Sequence, residues 1–296
     1  MKNNFRIISF YKFARMDNPR TFLDDHLQYC HYHGLRGKVY VSHEGINGNI
    51  TGRISAIENY KKYLKHFPRF SDIWFKESEC EDFAFRKMHV RLKKELIHMG
   101  VDDINPEKGG KRLKPAELVA MYEKGEDFVI VDTRNTYEAR IGHFENAIIP
   151  EMENFREWPR VVEELERYKD KTIVTYCTGG IRCEKATAYM VQKGFKNVFQ
   201  IEGGILNFIQ QYPDTYWRGG MFVFDDRKVV EPNTKEYLKY TARCHYCHTP
   251  TAYYINCHNL ECDKIFVVCK SCREEHHYCC SPECVASPNK RPRKYD

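Results

Sequence analysis

One cysteine lies in a segment whose residue types suit anion binding and nucleophilic chemistry. Cys177 is followed by Thr178, Gly179, Gly180, Ile181 and Arg182. Glycines let the backbone curl so that successive N–H groups point inward, and a helix that starts here adds positive potential. These surroundings stabilise a thiolate and lower the pKa of its thiol. We therefore predict a reactive cysteine on an anion-binding loop, with a buried structural cysteine as the alternative.

The flanking segments predict how this loop is held. A β-branched run at 172–175 precedes Cys177, and a helix-forming run at 184–190 follows it, which places the cysteine between a buried strand and a helix. A second buried run, at 128–131, ends in Asp132-Thr133-Arg134. A third strand-like run, at 198–201, precedes Glu202-Gly203-Gly204. Arg182 is expected to direct its guanidinium at loop carbonyls or at an incoming anion.

The order of these motifs resembles the rhodanese family. The shared features are the D-x-R strand end at 132–134, the G-H-F-x-x-A-I turn at 142–148, the cysteine loop and the E-G-G turn. The resemblance covers about residues 112–220 and implies an α/β domain with a parallel sheet. It also implies that Asp132 and Arg134 lie near the cysteine loop and fix its geometry by charge-assisted hydrogen bonds. The C-x4-R spacing favours sulfur chemistry, because phosphatases of related architecture need C-x5-R.

Composition limits the class of protein. A chain of 296 residues is long enough for two or three domains. It contains no apolar run long enough to span a bilayer, and its start, at 1–6, does not read as a secretory signal. A cytoplasmic protein without membrane contact is therefore expected, and its thirteen cysteines should be thiols or metal ligands rather than disulfides. The sequence does not predict an oligomeric state.

Charge is distributed unevenly along the chain. Residues 1–111 carry a net charge of +6, residues 112–231 a net charge of −3, and residues 232–296 a net charge of +3. Basic segments on both sides of an acidic one favour a polyanionic partner such as nucleic acid. Ordinary solvated lysine surface is the alternative.

The N-terminal region predicts a compact α+β domain at 1–85. Strand-like segments at 5–13, 37–41, 46–51 and 73–75 alternate with helical ones at 19–33 and 54–67. This βαββαβ order suggests a ferredoxin-like fold whose aromatic, basic strands could receive RNA. Those aromatic residues could equally form only the core.

A basic cluster opens the predicted connector at 86–111. Its candidate nucleic-acid-binding residues are Arg86, Lys87, His89, Arg91, Lys93 and Lys94. In a strand, His89, Arg91 and Lys93 share one face and would form a track for phosphates, or else an ordinary charged edge. We expect the connector also to cover one side of the cysteine loop.

The C-terminal region, at 221–296, is rich in cysteine. Nine of the thirteen cysteines lie between 244 and 284. The candidate metal ligands are Cys244, Cys247, Cys257, Cys262, Cys269, Cys272, Cys280 and Cys284. Eight thiolates suit two tetrahedral structural zinc sites and leave one cysteine over, although a nearby histidine could replace a ligand. Reduced thiols packed without metal are the alternative.

Taken over nearly its whole length, the chain resembles the oxygen-dependent, rhodanese-type tRNA uridine hydroxylases. The resemblance includes S-H-E-G-I-N-G at 42–48 and R-C-E-K-A at 182–186. It implies 5-hydroxylation of the wobble uridine in the anticodon of tRNA, with molecular oxygen as co-substrate. No flavin, haem or nicotinamide signature is visible. Two other functions stay open, a rhodanese-type sulfurtransferase and a non-enzymatic RNA-binding scaffold. Cys177 would either add to C6 of uracil or carry sulfur as a persulfide.

Overall fold

The computed structural model of the protein describes residues 4–235 and 240–292. Positions 1–3 of the predicted N-terminal domain lie outside the described residues. So do positions 236–239 and 293–296 of the predicted C-terminal region.

The N-terminal domain is an α+β layer in which two helices cover one face of a sheet. Its elements are β1 (Phe5–Phe13), α1 (Pro19–Tyr32), β2 (Arg36–Ser42), β3 (Gly45–Arg53), α2 (Ile54–Lys65), β4 (Phe75–Cys80) and β5 (Met88–Leu92). The strands lie in the order β4-β1-β3-β2-β5, and only the β2–β5 pair is parallel. The predicted α+β order is confirmed. The strand expected at 73–75 begins at Phe75 instead, and residues assigned to the connector supply the fifth strand, β5.

The alternation of side chains gives this sheet two different faces. On β1, Ile8 and Phe10 are buried in the core under the helices. Their neighbours Ser9 and Tyr11 point to the opposite face, because successive strand residues alternate. That opposite face is polar and turns toward the next domain.

The central domain is built on a parallel sheet. Its elements are β6 (Lys111–Leu113), α3 (Pro115–Lys124), β7 (Phe128–Asp132), α4 (Thr136–Ala139), β8 (Gly142–Phe144), α5 (Trp158–Glu164), β9 (Thr172–Tyr176), α6 (Ile181–Gln192), β10 (Asn197–Ile201), α7 (Gly204–Gln211) and β11 (Trp217–Gly219). The parallel strands have the order β6-β10-β9-β7, while β8 and β11 form a small antiparallel pair. Short 3₁₀ turns lie at Pro68–Phe70, Pro106–Lys108, Phe155–Glu157 and Glu166–Tyr168. The carboxyl ends of β7 and β9 therefore meet at one edge of the sheet, where Asp132 and Cys177 lie.

The C-terminal region has little regular structure. It contains β12 (Met221–Phe222), β13 (Val229–Val230), β14 (Tyr254–Asn256), β15 (Ile265–Val267), α8 (Lys270–Glu275) and α9 (Pro282–Ala286). Cysteines make up most of the buried residues in its largest cluster, which also holds Phe266 and Val268. Among the residues that the structure describes, no helix is long and apolar enough to cross a membrane.

Candidate active site

The cysteine loop joins β9 to α6, as the residue pattern predicts. The Gly180 N–H donates a hydrogen bond to Cys177 Sγ at 3.1 Å, so the loop curls around the sulfur. Gly180 has a φ of +101°, and a Cβ there would lie 2.9 Å from the Tyr11 hydroxyl. The carbonyls of Cys177 and Thr178 accept hydrogen bonds from the first turn of α7. Glycine at 180 is therefore required both by backbone conformation and by the close approach of the N-terminal domain.

The surroundings of Cys177 favour the thiolate form of its side chain. Burial by itself would raise the pKa of its thiol, since it removes the charged form from water. A hydrogen bond from the Cys183 thiol, the Arg182 guanidinium, and the backbone N–H groups of Arg182 and Gly180 outweigh burial, so the pKa of Cys177 lies below its ordinary value. Burial and the neighbouring Cys177 raise the pKa of Cys183 well above its ordinary value. The pair therefore consists of one thiolate and one thiol that donates to it.

Arg182 differs from the sequence-based expectation. Instead of pointing at loop carbonyls, its guanidinium forms two hydrogen bonds with the Glu138 carboxylate, at 2.6 and 2.8 Å. Both side chains are buried. Charge and geometry explain the difference, because a buried guanidinium needs a carboxylate and a fork of two donors fits one. The positive charge of Arg182 thus helps to lower the pKa of Cys177, while its hydrogen bonds are made with Glu138 of α4.

The D-x-R motif contacts the cysteine loop through its middle residue. Asp132 and Arg134 form a fully buried ion pair at 2.6 Å, and Arg134 also donates to the Gly142 carbonyl at 2.6 Å. Thr133 donates from its hydroxyl to the Tyr176 carbonyl at 2.9 Å, and its hydroxyl oxygen lies 3.5 Å from Cys183 Sγ. The ion pair therefore fixes the end of β7. Thr133 connects this strand end to Tyr176, which precedes Cys177, and to Cys183.

The cysteine opens into a cleft of about 440 Å³ between the domains. The polar face of the N-terminal sheet forms its roof, with Ser9, Tyr11, Lys38, Tyr40, Asn47, Asn49 and Lys76. Ile97 and His98 of the predicted connector line one side, and Val223 and Phe224 of the C-terminal region line another. A volume of this size is typical of small-molecule sites.

Ion pairs and close contacts hold the roof on the loop. Lys185 Nζ binds Glu44 at 2.7 Å and Glu95 at 2.8 Å. Glu184 accepts hydrogen bonds from the Tyr11 hydroxyl and from Arg112, both at 2.7 Å. The segments S-H-E-G-I-N-G and R-C-E-K-A, which are distant in sequence, therefore meet through Glu44 and Lys185.

The candidate tRNA-binding residues extend the roof toward its open edge. His89 and Arg91 pair in register with Lys38 and Tyr40, so these four side chains share the cleft face. Burial and the nearby cations Lys87, Arg91 and Lys38 lower the pKa of His89, which indicates positive potential along this edge. Lys93 Nζ lies 5.2 Å from the centre of the Tyr40 ring. Lys94 is exposed, and Arg86 pairs with Asp226 at 3.9 Å.

The C-terminal cysteines form two clusters that could hold metal. One contains Cys244, Cys247, Cys269 and Cys272, and the other contains Cys257, Cys262, Cys280 and Cys284. Within each cluster the four sulfur atoms lie within 4.8 Å of one another. The leftover cysteine is Cys279, which is buried. The first and third cysteine pairs therefore combine, as do the second and fourth, and neither group includes a histidine from the part of the chain that the structure describes.

Several site residues carry no signal in the sequence. Glu138 is a single carboxylate in a helix, and Lys76 and Tyr11 lie in a domain that ends before the cysteine loop begins. The hydrogen bond from Cys183 to Cys177 depends on how the loop between them folds, which brings its two ends together. Only the motif at 182–186 points to Glu184 and Lys185, and it does not indicate their partners.

Comparison with known proteins agrees with this architecture. The model for the UPF0176 acylphosphatase like domain matches residues 5–96, the Rhodanese-like domain model matches 114–211, and the Rhodanase C-terminal model matches 218–285. Together they define a rhodanese-fold protein with an added α+β roof and a cysteine-rich end.

Relatives along the whole chain identify the family. The tRNA uridine(34) hydroxylase of Acholeplasma laidlawii is 42% identical, over 98% of this chain and 92% of the relative. That of Bacillus licheniformis is 40% identical, over 97% and 90%. That of Cytophaga hutchinsonii is 36% identical, over 98% and 92%. This chain belongs to the tRNA uridine(34) hydroxylase family.

Proposed function

We propose that this protein hydroxylates C5 of the uridine at position 34 of tRNA, the wobble position of the anticodon, with molecular oxygen as co-substrate. The observation that supports this proposal most directly is the position of Cys177, whose thiolate form is favoured, at the bottom of a cleft with a polar, aromatic and basic roof. We also infer that the protein works in the cytoplasm, because that is where a tRNA substrate would be met. The reaction class is that of the full-length relatives.

The cleft supplies groups suited to a pyrimidine that has been turned out of the anticodon loop. Tyr40 offers a ring for stacking, and Lys38 and Lys93 lie over the same ring at 5.7 and 5.2 Å. The Thr178 hydroxyl is buried and has no hydrogen-bond partner among the described residues, which leaves it available for a base edge. Arg91, Lys93 and the neighbouring basic residues then lie along the path of the flanking phosphates.

The chemistry at Cys177 follows from its charge. A thiolate that adds to C6 of uracil forms an S–C6 bond and makes C5 electron-rich, and C5 is the atom that receives the hydroxyl group. Arg182 cannot bind a phosphate as freely as in a phosphatase loop, because Glu138 occupies its fork. The loop therefore suits an uncharged ring better than a free anion.

We propose further that the two cysteine clusters hold structural zinc. Four sulfur ligands at tetrahedral zinc are separated from one another by about 3.8 Å, which follows from Zn–S distances of about 2.3 Å. Cys247 and Cys269 lie 3.7 Å apart, and Cys280 lies 3.7 Å from Cys262 and 3.9 Å from Cys284. Donor type and spacing both fit, and the metal would supply the folding free energy that this segment lacks in apolar core.

The central test is Cys177→Ser. The hydroxyl is nearly isosteric and a far weaker nucleophile near neutral pH, so 5-hydroxyuridine in tRNA should fall to background while the fold is kept. Mass spectrometry of nucleosides from tRNA incubated with each variant measures this. Cys80→Ser, which changes a half-buried cysteine outside the loop, serves as the matched control. More than a tenth of wild-type product in Cys177→Ser would remove Cys177 from catalysis.

The rhodanese-type match at 114–211 favours sulfur transfer as the second candidate function. In that case Cys177 carries a persulfide, and the N-terminal roof is not needed. Trapping distinguishes the two: a covalent adduct between Cys177 and uridine supports addition, and labile sulfane sulfur that cyanide releases supports transfer. Residues 112–220 expressed alone should at most carry sulfur, so tRNA hydroxylation by that fragment would contradict the division of labour.

A further inference from the structure

The buried cations around the cysteine loop are matched with carboxylates, with one exception. The matched pairs are Arg134 with Asp132, Arg182 with Glu138, and Lys185 with Glu44 and Glu95. Lys76 is 7% exposed and has neither an ion pair nor a hydrogen bond from its ammonium within the part of the chain that the structure describes. Burying an ammonium without a carboxylate costs stability, so this position is unusual for a merely structural lysine.

Lys76 extends from the sheet face that covers the cysteine loop. Lys76 lies on β4 opposite Ser9 of β1, on the polar face of the sheet, and lines the same cleft as Cys177. Its Nζ lies 4.9 Å from the centre of the Tyr11 ring and 4.8 Å from that of Trp74. Both rings are cation-binding surfaces, so together they hold the ammonium without neutralising it.

These two rings are themselves fixed on the catalytic domain. Tyr11 donates to Glu184 and abuts Gly180 of the cysteine loop. Trp74 lies over Gly203, where an added Cβ would approach the indole ring to 2.4 Å. Lys76 therefore lies at the junction of the two domains. Its position is set by the two rings, which contact the cysteine loop at Gly180 and the turn at Gly203.

The charged groups around Lys76 fit a proton donor near neutrality. Burial lowers the pKa of Lys76 to about 8, the Cys177 thiolate and Glu184 raise it, and Arg112 lowers it. Near neutral pH the ammonium and the thiolate are therefore present together, as opposite charges in one cleft. When the sulfur becomes neutral on bonding to carbon, the ammonium loses this partner and becomes a stronger acid.

We propose that Lys76 is a second catalytic residue, whose ammonium faces the Cys177 thiolate at rest and donates its proton to the uracil as that thiolate adds. This rests on the proposed function. As the S–C6 bond forms, the C5–C6 π pair shifts through C4 onto O4, and the Lys76 proton neutralises that oxygen. The lysine ends neutral, and the electron-rich enol has its reactive carbon at C5. No oxidant is consumed in this step, which precedes the reaction with oxygen.

Alkylation of Cys177 tests the pairing without the need for turnover. Trypsin cuts after Lys171 and Arg182, so the peptide 172–182 contains Cys177 as its single cysteine, and Cys183 falls in the next peptide. Iodoacetamide labelling of full-length protein is measured by mass spectrometry of this peptide from pH 4 to 10. In Lys76→Met the midpoint of labelling should move up by about one pH unit, because a nearby cation has been removed. Lys76→Arg should keep the wild-type midpoint, and so should Lys62→Met, an exposed lysine of α2.

The tRNA assay tests the proton transfer. In the wild type, hydroxylation should fall on the alkaline side near pH 8. Lys76→Arg keeps the positive charge but does not release a proton in this range, so it should keep the labelling midpoint and lose rate as Lys76→Met does. Lys76→Met should lose at least tenfold in rate at pH 7. Wild-type labelling midpoint and wild-type rate in Lys76→Met would overturn the proposal. If wild-type protein labels as described but never hydroxylates tRNA, the proposed function fails and the Cys177–Lys76 pairing stands.

Discussion

The buried ion pair between Arg182 and Glu138 makes a quantitative prediction for Glu138→Gln. The substitution keeps the size of the side chain but leaves a guanidinium that is 7% exposed without its carboxylate. Removing one partner of a buried pair costs about 3–5 kcal/mol, much of it from the charge that stays behind. With a urea slope of about 2 kcal/mol per molar for a domain of this size, the unfolding midpoint should fall by about 1.5–2.5 M.

Tryptophan fluorescence can measure this loss of stability in the central domain. Trp158 and Trp217 are fully buried in the central domain, and Trp74 at the junction is partly exposed. In a Trp74→Phe background, the signal therefore reports only the domain that contains the ion pair. Glu164→Gln is the matched control, because it breaks an exposed pair with Arg160 in the same domain, worth at most about 0.5 kcal/mol. A midpoint for Glu138→Gln no lower than that of the control would refute the reasoning.

Three further predictions concern the sulfur pair, the metal clusters and the basic edge. Cys183→Ala removes the thiol that donates to Cys177, so the labelling midpoint of the peptide 172–182 should rise, and an unmoved midpoint would show that Cys183 only packs. Cys269→Ser should lower the zinc bound per chain from two to one or fewer by elemental analysis, whereas retention of both would exclude its cluster. Replacing Arg91, Lys93 and Lys94 by glutamine should weaken tRNA binding and reduce its salt dependence, by a slope of about 0.9 per lost phosphate contact. An unchanged slope would contradict the phosphate track.

Local patterns predict the cysteine loop well. A β-branched run, two glycines and a helix-forming run are all adjacent in sequence, so the strand, turn and helix around Cys177 follow from short-range physics. The same holds for the alternation of Ser9 and Tyr11 with the core residues of β1. A strand through Arg91 was considered, but its pairing with the N-terminal sheet was not predicted, because the charged segment resembles a linker until β2 offers it an edge.

Contacts between distant segments explain what the sequence could not show. Arg182 was expected to point at loop carbonyls or at an incoming anion. It instead forms hydrogen bonds with Glu138, which is 44 residues away in the sequence. Lys76 is a lysine among 47 basic residues and becomes distinctive only when the sheet covers the cysteine. For the metal ligands, spacing identifies the cysteine pairs, yet it does not state which pairs combine, because that depends on the path of the chain between them.

The interleaving of the two cysteine clusters has a consequence for how this segment folds. The first cluster closes the chain between Cys244 and Cys272, and this loop contains Cys257 and Cys262 of the second cluster. Once the first metal ion is bound, two ligands of the second are confined to a short closed loop, which lowers the entropy cost of bringing them together. We therefore expect the two ions to be taken up in one cooperative transition. Half-loaded protein should be scarce at equilibrium, and a shortage of metal should yield a mixture of complete and unfolded C-terminal segments.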